Sequence, residues 1–172
     1  MRRFLALLLM AALATSANAD PNLVGQWKSD SELSMRFNNE RAKLDSKTAL
    51  FLSQLMGHLT LTFTADAMTS ELPDLETKTQ EGRKRPLTGF RETHPYRVLG
   101  VASDSIAIKT AALVTGKDTI VVYNFIGPDM LWVYAGGEDN SQSLHLREYF
   151  VRVKDAPKPD APKADAPKSA QP

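Results

Sequence analysis

The feature that most constrains the fold is a series of short segments in which apolar and polar residues alternate. The clearest is Leu-Thr-Leu-Thr-Phe-Thr at 59–64, where Leu59, Leu61 and Phe63 fall on one face of a strand. A return strand starts at Met68, and residues 87–99 form either one bent strand or two short ones. Further strands are predicted at 23–29, 105–112, 119–126, 130–135 and 144–153.

The connectors between these segments are short and rich in turn residues. Ala-Ser-Asp at 102–104, Gly-Pro-Asp at 127–129 and Gly-Gly-Glu-Asp at 136–139 are typical of hairpin turns. Sequential hairpins without a long crossover predict a mainly β fold, a single antiparallel up-and-down β-barrel of about eight strands. Such a barrel encloses either its own side chains or one small ligand.

A helical insertion is predicted after the first strand. Asp45 or Ser46 provides the N-cap, Leu52, Leu55 and Met56 follow at helical spacing, and Gly57 ends the helix. Residues 31–44 fit either an alternating or a helical pattern, and we interpret them as an irregular lead-in with a second short helix. The polar stretch 74–86 is expected to be a loop with a charged turn.

Both ends of the chain differ from the middle. Arg2 and Arg3, the apolar run 4–13 and Ala-Asn-Ala at 17–19 predict a signal peptide over 1–19. Residues 154–172 repeat Asp-Ala-Pro-Lys three times and have no apolar side chain other than those of Ala and Pro, which predicts a disordered tail. The barrel domain is therefore assigned to 20–153.

Composition indicates the compartment. The chain has no cysteine and no Asn-x-Ser/Thr sequon, so we expect no disulfide, thiolate metal site or N-glycan, and we place it in the bacterial periplasm. Without the two terminal segments, 15 basic and 17 acidic residues remain. That balance argues against a nucleic-acid partner. Outside the signal no apolar run is long enough for a transmembrane helix.

The first predicted strand resembles a known family. Leu-Val-Gly-Gln-Trp-Lys at 23–28 is similar to the Gly-x-Trp opening strand of the lipocalin-like calycin superfamily. The resemblance implies that Gly25 and Trp27 form a structural plug at one barrel end, with Arg147 or Arg152 packed across the Trp. It also implies a ligand-carboxylate site, because Arg-Glu-Tyr at 147–149 has the Arg-x-Tyr form that fatty-acid-binding proteins use.

These residues give a predicted ligand site with two open alternatives. Arg147 and Tyr149 share a strand face and offer a head-group site, unless Arg147 instead stacks on Trp27. An aromatic cluster would line the pocket, unless it is ordinary core; its members are Phe63, Tyr123, Phe125, Trp132 and Tyr134. The basic run 83–85 is either a solvated loop or a rim that attracts anionic head groups.

No catalytic motif is present in the sequence, and His58, His94 and His145 lack metal-ligand spacing. We therefore expect a monomeric, non-catalytic binding protein without metal or cofactor, holding a small hydrophobic or amphipathic molecule such as a lipid or fatty acid. The alternative is a barrel with a filled core that acts through a protein partner. Such a barrel would be a periplasmic protease inhibitor, whose N-terminal arm 20–22 inserts into the protease, or an envelope-assembly accessory.

Overall fold

The computed structural model describes residues 21–112, 116–135 and 145–154. The predicted signal peptide, nearly all of the predicted tail and the connector at 136–139 lie outside these ranges. Within them, the fold is mainly β, as predicted, with two helices after the first strand. No helix among the described residues has the length and apolar character needed to cross a membrane.

In the part of the chain that the structure describes, nine strands form one antiparallel sheet and two more form a separate hairpin. The nine strands are β1 (Gly25–Asp30), β2 (Thr60–Phe63), β3 (Ala67–Leu72), β6 (Phe90–Pro95), β7 (Arg97–Val101), β8 (Ser105–Ala111), β9 (Asp118–Gly127), β10 (Met130–Tyr134) and β11 (Arg147–Arg152). The hairpin consists of β4 (Leu75–Lys78) and β5 (Lys84–Leu87).

The sheet closes almost completely into a barrel. Its order is β6-β3-β2-β1-β11-β10-β9-β8-β7, so its two outermost strands are consecutive in the chain and are separated only by Tyr96. If β6 and β7 are counted as one bent strand, they complete the predicted meander. The β6 part pairs with β3, and the β7 part pairs with β8. Across the remaining gap the Thr110 hydroxyl donates to the Pro95 carbonyl at 3.2 Å.

The two barrel ends differ in what lies beside them. At one end, here called the helix end, β1 leads into α1 (Ser31–Arg41) and α2 (Ser46–Leu55), and β3 leads into the β4–β5 hairpin. The Asp45 side chain caps α2 as predicted, accepting from the N–H groups of Lys47 and Thr48. The other end, here called the plug end, carries Gly25 and Arg152.

Helix α1 is longer and more regular than the sequence pattern predicts. Asp30 caps it by accepting from the Leu33 N–H at 2.9 Å, and its buried side chains are polar: Ser34 and Asn38, one turn apart. Both bond the backbone of β11 where β1 has ended. Asn38 accepts from the Arg147 N–H and donates to the Arg147 carbonyl, each at 2.9 Å, and Ser34 accepts from the Tyr149 N–H at 2.9 Å. Helix α1 thus takes the place of a neighbouring strand.

Two apolar clusters hold the molecule together. The barrel cluster has the fully buried side chains of Trp27, Phe63, Ile108, Leu131 and Phe150 at its centre. A smaller cluster joins the helices to the start of β11, and consists of Ala42, Leu52, Met56 and Leu146. The residues of α1 that are buried against β11 are polar. The sequence of α1 therefore lacks the stripe of apolar residues from which a packed helix is usually predicted.

The sequence predicts a loop over the polar stretch 74–86, and this prediction is wrong. The stretch contains most of the β4–β5 hairpin. Its strands pair from Leu75–Leu87 to Lys78–Lys84. Pro86 within β5 and the dense charge at 81–85 mask the strand pattern in the sequence.

Candidate functional site

The seven predicted ligand-binding residues do not form one pocket. Strand register puts Leu131 opposite Phe125 and Trp132 opposite Tyr149. Leu131 belongs to the barrel core, so Trp132 lies on the outer face. The inner set is Phe63, Tyr123 and Phe125, and the outer set is Trp132, Tyr134, Arg147 and Tyr149. Ligand binding by these residues stays a prediction, but the expected facing of Trp132 and Tyr134 towards Tyr123 and Phe125 is wrong.

The inner aromatic residues pack against each other and against the plug. The ring centroids of Phe63 and Tyr123 lie 5.3 Å apart at 87°, and those of Trp27 and Phe125 lie 5.9 Å apart at 75°. Burial raises the pKa of the Tyr123 hydroxyl, which donates to the Met68 sulfur at 3.3 Å. This half of the barrel interior is therefore occupied by edge-to-face aromatic contacts.

The outer set surrounds a guanidinium. The Arg147 guanidinium carbon lies 3.7 Å from the centroid of the Trp132 ring and 4.3 Å from that of Phe37, with Tyr134 at 5.8 Å. Its Nε is buried and has no hydrogen-bond partner within the described residues. These contacts fasten α1 to the outside of β10 and β11.

At the plug end, Arg152 rather than Arg147 packs across the tryptophan. Its guanidinium carbon lies 4.1 Å from the Trp27 ring, and its nitrogens donate to the carbonyls of Val24 at 2.8 Å and Asn22 at 2.7 Å. Gly25 has φ +126° and leaves room for Arg152, since a Cβ there would lie 2.8 Å from its Nη1. The alternative in which Arg147 stacks on Trp27 is wrong.

A cleft of about 570 Å³ lies between α2 and the β4–β5 hairpin. Two side-chain contacts hold its walls together. Gln54 bonds both the Lys78 N–H, at 2.6 Å, and the Lys78 carbonyl, at 3.1 Å, and Gln80 donates to the Ser46 hydroxyl at 2.9 Å. Its volume is that of a small-molecule site.

The cleft combines an apolar lining with a charged rim. Leu50, Phe51, Pro86 and Leu87 supply the apolar lining, and Phe51 is 43% exposed. Lys47, Lys78 and Arg85 supply three cations against one carboxylate, Glu81. A hydrogen bond from Thr79 lowers the pKa of Glu81, with smaller contributions from Arg85 and Lys47. The cleft therefore carries a net positive charge beside an apolar surface.

The helix end of the barrel interior is polar, in contrast to the aromatic plug end. Ser29, Ser70, Thr110 and Glu148 face inward, each within two residues of its strand's end on that side. Ser29 donates to the Glu148 carboxyl at 2.6 Å, and burial raises the pKa of Glu148. The alternation of polar and apolar residues in β1, β3 and β8 contains this signal, but only the closed barrel shows that Ser29 contacts Glu148.

The histidines occupy unrelated positions. His94 contacts Glu92 at 3.2 Å, and the His58 carbonyl accepts from Lys28 at 2.7 Å. In the described ranges, no group of three or more His, Cys, Asp or Glu is placed to hold a metal ion.

Compared with protein-family models, with curated proteins and with solved structures, the chain gives no match in any of the three comparisons. The similarity to lipocalin-like barrels therefore stays a prediction that rests on the residues of β1 and β11 and on the barrel topology.

Proposed function

We propose that this chain is an exported, non-catalytic, lipocalin-like binding protein that holds a small amphipathic ligand, such as a fatty acid or another single-chain lipid. The observation that carries the proposal is the cleft between α2 and the β4–β5 hairpin. The N-terminal pattern at 1–19 supports export and the absence of cysteine supports the periplasm.

The lining of the cleft matches the two parts of such a ligand. An acyl chain lies on Leu50, Phe51 and Leu87, and each methylene removed from water contributes about 0.8 kcal/mol. An anionic head lies near Lys47 and Arg85, whose charges attract it. Micromolar affinity corresponds to a binding free energy of about 8 kcal/mol. Partial burial of an acyl chain and charge attraction reach this value only if little free energy is lost in ordering the cleft, which requires a preformed cleft. The Gln54 and Gln80 hydrogen bonds supply that preorganisation.

Reversing the charge of the rim tests the proposal. The double variant Lys47→Glu/Arg85→Glu is expected to bind dodecanoate at least tenfold more weakly than the unmodified chain, while its affinity for dodecanol changes less than threefold. Isothermal titration calorimetry with both probes measures the two effects.

The matched control is Arg36→Glu/Arg83→Glu, which makes the same change in net charge at exposed residues that do not line the cleft. It is expected to retain dodecanoate affinity. Equal losses in both double variants would mean that only the overall charge matters, and would contradict a head-group site at this rim.

A second candidate function has its own observation. The outer face of β9 exposes Ile120 (63%), Val122 (41%) and Ile126 (58%). An exposed apolar sheet face is typical of a protein-contact surface, and it favours the alternative in which the barrel acts through a protein partner. In the N-terminal arm, however, Asn22 is bonded to Arg152 at the plug end. If the arm inserts into a protease, deleting residues 20–22 should abolish inhibition and leave dodecanoate binding unchanged.

A further inference from the structure

The interior of the barrel at the helix end contains a carboxyl group without a cationic partner. Glu148 faces the barrel axis, because its neighbours on the same strand face are the fully buried Phe150 and the plug residue Arg152. No Lys or Arg of the described residues forms an ion pair with it. Its one hydrogen bond there comes from Ser29.

The Ser29 hydrogen bond leaves half of the carboxyl group open. Ser29 accepts from the Gly57 N–H at 2.8 Å and directs its own hydrogen to Glu148 Oε1 at 2.6 Å. Glu148 Oε2 has no bonding partner in the described ranges, so it is an acceptor facing the interior. A carboxylate that is largely removed from water and has no counter-charge is destabilising, and a donor or cation supplied by a ligand reduces that penalty.

The Ser70 hydroxyl is a second polar group of the barrel interior that lacks a partner in the described part of the chain. Ser70 is fully buried on the inner face of β3, between Met68 and Leu72, and among the described residues its hydroxyl has no hydrogen-bond partner. Leaving such a hydroxyl unpaired destabilises the folded state, because it loses its hydrogen bonds to water. Barrel cores normally place apolar side chains at inward positions of this kind.

The interior at this end is also reachable. Glu148 and the inward-facing Val121 and Val133 keep part of their surface exposed, although Leu131 and Ile108 of the same sheet are fully buried. Glu92 faces inward beside Ser70 in the register of β6 and β3, and its side chain is 44% exposed at the gap between β6 and β8. These partly exposed side chains give a small molecule a route from solvent to Glu148 and Glu92.

We infer that the helix end of the barrel interior is a binding site for a small molecule with an ammonium or comparable N–H donor on an apolar body. The donor group bonds Glu148 Oε2 and the Ser70 hydroxyl, and the apolar body lies against Val121 and Val133. This site is separate from the cationic cleft and prefers the opposite charge, so it goes beyond the function proposed above.

Three probes of equal chain length test the inference: octylamine, octanol and octanoate, titrated into the full chain and followed by calorimetry and by amide shifts. Octylamine is expected to bind at least tenfold more tightly than octanoate and to shift the Gly57 amide, which reports on Glu148 through Ser29. Octanoate binding as tightly as octylamine would overturn the inference.

Variants localise the effect. Glu148→Gln keeps an oxygen that accepts from Ser29, and it is expected to weaken octylamine binding at least tenfold. The control Glu76→Gln removes an exposed carboxylate that pairs with Lys84 on the hairpin, and should change the affinity less than twofold.

Ser70→Ala provides a second interior variant, expected to weaken octylamine binding about threefold without loss of folding. If Glu148→Gln and Ser70→Ala both fold and both bind octylamine normally, the inference is wrong. Dodecanoate binding and its dependence on Lys47 and Arg85 would be unaffected by that failure.

Discussion

Glu148 is expected to make the stability of the barrel depend on pH. Burial raises its pKa above the ordinary value, so the unfolded chain releases this proton at a lower pH than the folded chain does. Between the two pKa values the folded state binds the extra proton, and stability falls as pH rises through that window.

The measurement is urea unfolding of the unmodified chain and of Glu148→Gln at pH 4 and pH 7. Because glutamine does not titrate, the variant should gain stability relative to the unmodified chain on going from pH 4 to pH 7. A difference between the two proteins that is the same at both pH values would contradict the assigned environment of Glu148.

At the same scale, the sequence was informative about some residues and silent about others. Gly25, Trp27 and a basic residue of the last strand were expected at a barrel end, and the structure selects Arg152. Arg147 is the residue that the sequence offers either for the ligand head group or for stacking on Trp27. In the structure it lies on the outer face of the barrel. Both faces of β11 mix polar and apolar residues. Arg147, Tyr149 and Val151 lie on one face, and Glu148, Phe150 and Arg152 on the other. The alternation therefore does not say which face is inside.

At the scale of elements, α1 depends on two polar side chains rather than on an apolar stripe. Replacing Asn38 with Leu, of similar size, leaves the Arg147 N–H and carbonyl without the partners they have now. The expected loss is about 2 to 4 kcal/mol in the free energy of unfolding. Urea unfolding measures this loss, and hydrogen exchange at the Arg147 amide should become faster.

The adjacent residue offers a matched control. Asn39 is exposed on the same helix, and Asn39→Ala is expected to change the free energy of unfolding by less than about 0.5 kcal/mol. If Asn38→Leu is as mild as this control, α1 does not replace a strand at the edge of β11.

Elements were predictable from the sequence to the extent that their patterns were unambiguous. Strand β2 and the capped helix α2 have clear alternation and a clear N-cap, and both were expected within a residue or two of their bounds. Strand β10 reads Met-Leu-Trp-Val-Tyr and is apolar at every position, so its inner face could not be assigned. The pairing with β11, which places Leu131 opposite the fully buried Phe150, decides which face is inside.

At the scale of the whole molecule, the two ends of the barrel differ in the side chains that they contain. The plug end is filled by aromatic side chains and closed by Arg152 over Trp27. The helix end has polar inward residues and a cationic cleft formed with α2 and the β4–β5 hairpin. The hairpin count of the sequence predicted the closed topology, but the cleft depends on long-range pairing between Gln54 and Lys78, which no local pattern encodes.

The central claim is that the chain is a carrier of a small amphipathic ligand, and native mass spectrometry tests it most directly. The full chain, exported to a bacterial periplasm and purified without detergent, is expected to show an added mass of a few hundred daltons that organic solvent removes. The same species should form when dodecanoate is added to the stripped protein. A spectrum with only the unliganded mass, before and after addition of dodecanoate, would contradict the account and leave the exposed face of β9 as the surface to investigate.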